Sequence, residues 1–171
     1  MNNADVIKAE LDWLEACIGS RLNAYGEAVA IDLPPAPPLV EAAPGYAGIV
    51  ARLCLADEAR LLLILALAPH VAPNLLDSFM IENSAIERRF TEFGGFIDPA
   101  GSGFRPTCQT ACFLVAGDDI AQSLRFQAGL KSHPLIVEDL VRFDRRDSHE
   151  PLLSARLIVP EDAAEQMLFP G

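Results

Sequence analysis

Lysine is almost absent from this sequence, and the lysine-containing loop that many ATPases use to bind nucleotides is absent altogether. The 171 residues include only two lysines, Lys8 and Lys131, and neither follows a glycine. Since the GxxxxGK(S/T) loop holds phosphates through its backbone amides and its lysine, its absence excludes that mode of ATP hydrolysis in this chain. The glycines near positions 94–95 and 101–103 lack a strand–loop–helix setting, and they predict turns.

Basic charge and long apolar runs are scarce as well. Thirteen Lys and Arg residues face 24 Asp and Glu residues, which gives a formal net charge of -11. Such a chain repels phosphate backbones, so the charge predicts protein partners and argues against nucleic acid. The longest apolar run, 61–68, is far shorter than the roughly 20 residues of a membrane helix. The N-terminus shows no secretory signal, so we expect a cytoplasmic protein without membrane contact.

Recognisable metal-binding and catalytic motifs are also missing. The four cysteines form no CxxC pair and lie in apolar, helix-like segments, which predicts buried, reduced thiols: Cys17, Cys54, Cys108 and Cys112. Cys108 and Cys112 could share one helix face, but a structural zinc site needs four ligands. Asp118 and Asp119 stand at a predicted helix start, where capping explains them better than acid–base chemistry. We therefore expect no metal, no cofactor and no enzymatic activity.

Residues 1–30 predict an N-terminal amphipathic helix. Apolar residues recur at spacings of four, three and four, at Ile7, Leu11, Leu14 and Ile18. The charged residues are expected to lie largely on the opposite side: Lys8, Glu10, Asp12 and Glu15. Fewer than four heptads are present, which favours packing on the same domain over a coiled coil with a second copy. The coiled coil is the alternative, and through it two copies of this helix would form a homo-oligomer.

Residues 31–45 contain five prolines, which predict an extended spacer; an SH3 ligand is disfavoured because basic flanking residues are missing. The remaining part, 46–171, reads as short helices followed by two strands around a charged loop. Predicted helices cover 46–53, 57–67, 74–80, 84–93, 108–116, 120–130 and 161–168, and predicted strands cover 136–143 and 153–159. This order predicts a mostly α fold with a small β-hairpin (α+β): a variant winged-helix-like domain preceded by an N-terminal helix.

Five blocks within 59–159 carry a resemblance to a known family. They are LILALAPHVAPNLLD (63–77), FTEFGG (90–95), GFRPT (103–107), TACFLVAGDD (110–119) and EPLLS (150–154). In this order and spacing they resemble the N-terminal winged-helix-like domain of bacterial AAA-type ATPases from clusters that encode contractile, phage-tail-like injection systems. The resemblance implies an adaptor domain that binds an ATPase module or injection-system components. It carries over no ATPase residue, and it implies either the first part of a longer ATPase or a free-standing relative.

Two sets of residues are candidate contacts. The loop over 96–105 is rich in glycine and carries two aromatic residues, so it is the predicted partner-binding surface, with Phe96, Phe104 and Arg105 as contacts. The alternative function is a winged-helix DNA-binding regulator, whose contacts would be the arginines of the predicted wing: Arg142, Arg145 and Arg146. Neighbouring acidic residues offset those arginines, and helix 120–130 contains a single arginine, which disfavours DNA binding.

Overall fold

The computed structural model describes residues 2–27, 31–39, 44–97, 99–101 and 103–171. Within these ranges the chain is mostly α-helical and forms three small antiparallel two-stranded sheets. The predicted mostly α fold with small β structure is therefore confirmed, whereas the winged-helix topology and the division at residues 30 and 45 stay predictions. Residues 28–30 and 40–43, which flank those divisions, lie outside the described residues, as do residues 98 and 102 of the predicted binding loop.

The elements follow one another in a simple order. The helices are α1 (Asn3–Asn23), α2 (Tyr46–Arg52), α3 (Asp57–Val71), α4 (Cys108–Ala116), α5 (Ile120–Leu130), α6 (Pro134–Val137) and α7 (Glu161–Leu168). Short 3-10 helices cover Pro73–Met80, Thr91–Phe93 and Leu152–Ser154. The strands pair as β1 (Glu82–Asn83) with β2 (Arg88–Arg89), β3 (Phe96–Ile97) with β4 (Phe104–Arg105), and β5 (Arg142–Asp144) with β6 (Arg156–Ile158).

Helix α1 packs against the body of its own chain. The Asn2 side chain accepts a hydrogen bond from the Asp5 amide (2.9 Å) and the Asp5 carboxylate accepts one from the Asn2 amide (3.0 Å), which caps the helix start. The predicted apolar stripe is buried and contacts α2, α3 and α4. The stripe that could have formed a coiled coil is thus covered within the chain.

The predicted outward position of Glu10 is wrong, because this residue is fully buried. Arg60 of α3 forms an ion pair with its carboxylate, and the Tyr46 hydroxyl donates a hydrogen bond to it at 3.0 Å. Burial raises the pKa of Glu10, and the hydrogen bond and charge of Arg60 oppose that rise. The Arg60 guanidinium also lies 5.5 Å from the centre of the Trp13 ring. The charged side chain of Glu10 in the amphipathic helix α1 is thus buried in the core and paired there with Arg60.

The proline-rich segment lies on this network. Residues 31–39 form neither helix nor strand, as predicted for a proline-rich stretch. The Pro34 carbonyl accepts a hydrogen bond from Trp13 Nε1 and the Pro37 carbonyl accepts one from Arg60 Nη2, both at 2.7 Å. Leu33 also packs against the core. A plain spacer would make no such contacts, so this part of the predicted linker is docked on the domain.

Helix α3 is the central core helix, and it runs further than predicted. All residues from 59 to 68 are buried, and the helix continues through Pro69 to Val71. Pro69 cannot donate a backbone hydrogen bond. Because it lies close to the helix end, the free energy lost there is small compared with the free energy gained by burying the apolar residues of the helix. The N-cap is Ala56, and Asp57 lies in the first turn, where the helix dipole favours its charge.

The predicted helix over 84–93 is wrong. This stretch holds the turn of the β1–β2 hairpin, strand β2 and a short 3-10 helix. The Asn83 side chain accepts a hydrogen bond from the Ala85 amide at 2.9 Å, which fixes a turn where the helix was predicted to begin. Glu87 has a φ of +50°, which is incompatible with a helix. Ile86 is 54% exposed, so a helix here would have had little apolar surface to bury.

The predicted strands are too long at their N-terminal ends. Residues 134–137 form α6, because Pro134 suits the first helical position and His133 Nδ1 accepts a hydrogen bond from the Leu135 amide (3.3 Å). Asp139, with a φ of +54°, separates this helix from β5. In the second predicted strand, residues 152–154 form a 3-10 helix before β6 begins.

The cysteine prediction is correct for three of the four residues. Cys17, Cys108 and Cys112 are buried and reduced, whereas Cys54 is exposed. Cys54 has a φ of +49° in the turn between α2 and α3, so it does not belong to the helix that its apolar neighbours suggested. Only one thiol therefore faces solvent among the four.

Candidate functional site: an arginine-lined cleft

An aromatic cluster anchors the predicted binding loop. Phe104 of β4 is fully buried and its ring stacks on Phe79, with the ring centres 5.2 Å apart. Gly95 has a φ of +70° and lies directly against that ring; a Cβ atom there would come within 2.0 Å of Phe104 Cζ. Only glycine fits this position. Phe104 therefore offers no surface to a partner and instead holds the loop on the core.

Hydrogen bonds join the loop to α4 and to β6. The Gly95 amide donates to Thr107 Oγ1 (3.0 Å), and Thr107 caps α4 together with Thr110. The Cys108 amide donates to the Ala155 carbonyl at 2.9 Å, and the Leu157 amide donates to the Pro106 carbonyl at 3.1 Å. The start of α4 thus places the loop and strand β6 side by side.

A cleft of about 720 Å³ opens between this loop, strand β2 and the β5–β6 sheet. Four arginines line it: Arg88, Arg89, Arg146 and Arg156. Three carboxylates also line it: Glu82, Asp144 and Glu150. Its formal charge is therefore about +1, in a chain whose net charge is -11. Its size is within the range of about 300–1,000 Å³ typical of ligand pockets.

The arginines are only partly neutralised by the protein. Arg156 pairs with Asp144, and its guanidinium lies 5.2 Å from the centre of the Phe96 ring. Within the described residues, Arg156 Nε and Arg89 Nη1 are buried and have no hydrogen-bond partner. Glu150 accepts a hydrogen bond from the Arg146 backbone amide at 3.2 Å. The cleft thus holds guanidinium donors that an added acceptor can satisfy.

This chemistry suits the binding of an anion. A guanidinium presents a planar fork of donors that matches a carboxylate or a phosphate. Phe90 and Phe96 also line the cleft, and both are only half-buried, so apolar contact is offered beside the charge. In the part of the chain that the structure describes, no group of three or more His, Cys, Asp or Glu residues could hold a metal ion.

The structure brings together one residue from each predicted contact set, Phe96 and Arg146, at the same cleft. Arg105 is half-buried in β4 opposite Phe96. Arg142 lies outside the lining: its Nε and Nη2 donate hydrogen bonds to the Asp139 carboxylate, and these hydrogen bonds lower the pKa of Asp139.

Arg145, the third predicted DNA contact, also lies outside the lining. Its guanidinium donates to the carbonyls of Ser148 (3.3 Å) and Glu150 (3.2 Å), so it serves to shape its own loop. Three lining arginines were missed by sequence reasoning: Arg88, Arg89 and Arg156. The adjacent arginine pair was a visible signal, but the wrongly predicted helix placed it away from the loop.

Comparisons with protein-family models, with curated proteins and with solved structures found no match to this chain. The resemblance to the N-terminal domains of AAA-type ATPases therefore stays a prediction. Among the described residues no single helix is both long and apolar enough to cross a membrane; α3 and the 3-10 helix that follows it reach that length only together, across a bend of 107°.

Proposed function

We propose that this chain is a non-catalytic, cytoplasmic protein-interaction domain that acts as an adaptor. The observation that carries the proposal is the cleft, where arginines and half-buried aromatic rings adjoin on an otherwise acidic chain. Arginine and aromatic residues are the types enriched where proteins bind each other. In line with the resemblance, the expected partners are an AAA-type ATPase module or components of a contractile injection apparatus.

A DNA-binding regulator has weaker support. Of the three predicted DNA contacts, Arg142 is held by Asp139 and Arg145 by carbonyls of its own loop. Helix α5, which precedes the β5–β6 hairpin, presents exposed apolar residues and a single exposed basic residue, Arg125: Ile120 is 75% and Leu124 is 60% exposed. Phosphate contacts need a basic face, and the overall charge of -11 opposes one.

Affinity capture tests the proposal. The chain is immobilised, exposed to lysate of the source cells, and the retained proteins are identified by mass spectrometry; duplex DNA binding is measured in parallel at two salt concentrations. We expect enrichment of an AAA-type ATPase or of tail-apparatus proteins over a heat-denatured control, with no duplex binding. Salt-sensitive duplex binding without any enriched protein would overturn the proposal.

A further inference from the structure

We propose that the cleft binds an acidic peptide segment, in which one or two Asp or Glu side chains adjoin an apolar side chain. This inference rests on the proposed function and names the chemistry of the partner. The ligand would be a short stretch of a partner protein, because the cleft has a formal charge of only about +1 and is about 720 Å³ in volume.

The unsatisfied donors call for an acceptor. Arg89 Nη1 and Arg156 Nε are buried, line one cleft and lack hydrogen-bond partners within the described residues. Buried N–H groups in proteins are almost always paired, and leaving a charged donor unpaired is unfavourable. A carboxylate that enters the cleft can accept hydrogen bonds from such guanidinium groups. These donors come from β2 and β6, which are far apart in sequence.

The balance of charge favours one or two carboxylates over a chain of phosphates. Asp144 already engages Arg156, and the described residues form no ion pair with the exposed Arg88. Because four arginines face three carboxylates, one negative charge on a ligand neutralises the cleft, and a second leaves it with a formal charge of about -1. A nucleic acid adds a negative charge at every nucleotide and would also meet the repulsion of the remaining acidic surface.

The apolar lining completes the recognition. Phe96 lies against the Arg156 guanidinium, and Phe90 and Leu153 are half-buried in the same lining. The Phe96 ring places an apolar surface directly beside the Arg156 guanidinium. While the ligand carboxylate binds the guanidinium, an apolar side chain next to it can therefore be buried against that ring. A peptide that carries only acidic residues is expected to bind more weakly than one with a neighbouring apolar residue.

An array of octapeptides tests this inference. Each peptide carries two acidic residues and one varied apolar residue, and each has a neutral counterpart in which Asn or Gln replaces Asp or Glu. The strongest binder is then titrated in solution by fluorescence anisotropy. We expect saturable binding of the acidic peptide, at least about tenfold weaker binding by the cleft variants R88Q and R89Q, and unchanged binding by R125Q, whose arginine lies on α5 outside the cleft.

The inference is overturned if the neutral peptides bind equally well, or if R88Q and R89Q bind the acidic peptide as tightly as the unchanged chain. Binding of only a phosphoserine version of the peptide, or of only duplex DNA, overturns it too. Circular dichroism and thermal melting establish that R88Q and R89Q remain folded. If capture from lysate succeeds but acidic peptides fail to bind, the inference alone fails; if the unchanged chain captures no protein, the proposed function fails.

Discussion

The ion pair between Glu10 and Arg60 joins α1 to α3 inside the core, and removing Glu10 leaves Arg60 with the exposed Asp57, 3.9 Å away, as its remaining countercharge among the described residues. The Arg60 side chain is only 10% exposed and Glu10 is fully buried, so water cannot replace the lost partner. Glu10→Ala also removes the acceptor of the Tyr46 hydroxyl. We expect it to lower the free energy of unfolding by about 3–5 kcal/mol. For a chain of this length that corresponds to a melting temperature about 6–20 °C lower.

Urea unfolding followed by tryptophan fluorescence measures this change directly. Trp13 is the single tryptophan, and it contacts Arg60 itself. A matched control is Lys8→Ala, which removes an exposed pair with Asp12 on the same helix and is expected to cost about 0.5 kcal/mol or less. In the double variant Glu10→Leu with Arg60→Met, both charges are gone and the volume is largely kept, so stability should return to within about 1–2 kcal/mol of the original.

The pH dependence follows from the same burial. The pKa of Glu10 lies above its ordinary value of 4.5 in the folded protein, so the folded chain holds this proton more tightly than the unfolded chain does. Protonation of Glu10 therefore stabilises the folded state fully below about pH 4.5, and this contribution is lost as the pH rises through the pKa of Glu10 in the folded protein. Glu10→Gln should remove this loss. The reasoning is refuted if Glu10→Ala costs less than about 1 kcal/mol, or if the double variant is as unstable as the single one.

Two further changes test the support of the cleft and the state of the thiols. Gly95→Ala would place a Cβ atom 2.0 Å from the Phe104 ring at a positive φ, so thermal melting should show a free energy of unfolding lower by at least about 2 kcal/mol. The control Gly101→Ala, whose Cβ meets no atom within 4 Å, should lower it by about half of that or less. Equal losses of stability in the two variants would contradict the argument. Maleimide labelling of the folded protein at neutral pH should modify Cys54 alone, because burial raises the pKa of Cys17 to about 11 and that of Cys108 to about 12. A second adduct in the intact mass before unfolding would refute this prediction.

Local signals in the sequence were sufficient for helices α4, α5 and α7. Thr107 precedes α4 and Gly117 ends it, Asp119 caps α5, and Pro160 precedes α7, and all three helices have the predicted bounds 108–116, 120–130 and 161–168. These residues act on backbone groups within about four positions of themselves. The apolar run over 61–68 falls largely within the predicted helix 57–67, and it is buried in the structure as its composition favours.

The sequence could not determine which polar groups enter the core or meet one another. Glu10 is buried because Arg60 of α3 and Tyr46 of α2 bind its carboxylate. The residue pattern within α1 does not predict either partner. The same holds for residues 84–89, where the Asn83 turn and the pairing of β1 with β2 replace the predicted helix.

The cleft is a product of tertiary structure alone. Arg89 and Arg156 stand 67 positions apart, and they meet because the start of α4 bonds the loop at Gly95 on one side and strand β6 on the other. The sequence by itself determined the positions of most helices, the acidic net charge and the candidate residues Phe96 and Arg146. Long-range packing decided that these two share a cleft in which Arg89 Nη1 and Arg156 Nε have no hydrogen-bond partner among the described residues, because only contacts between distant segments can bury a donor away from both water and an acceptor.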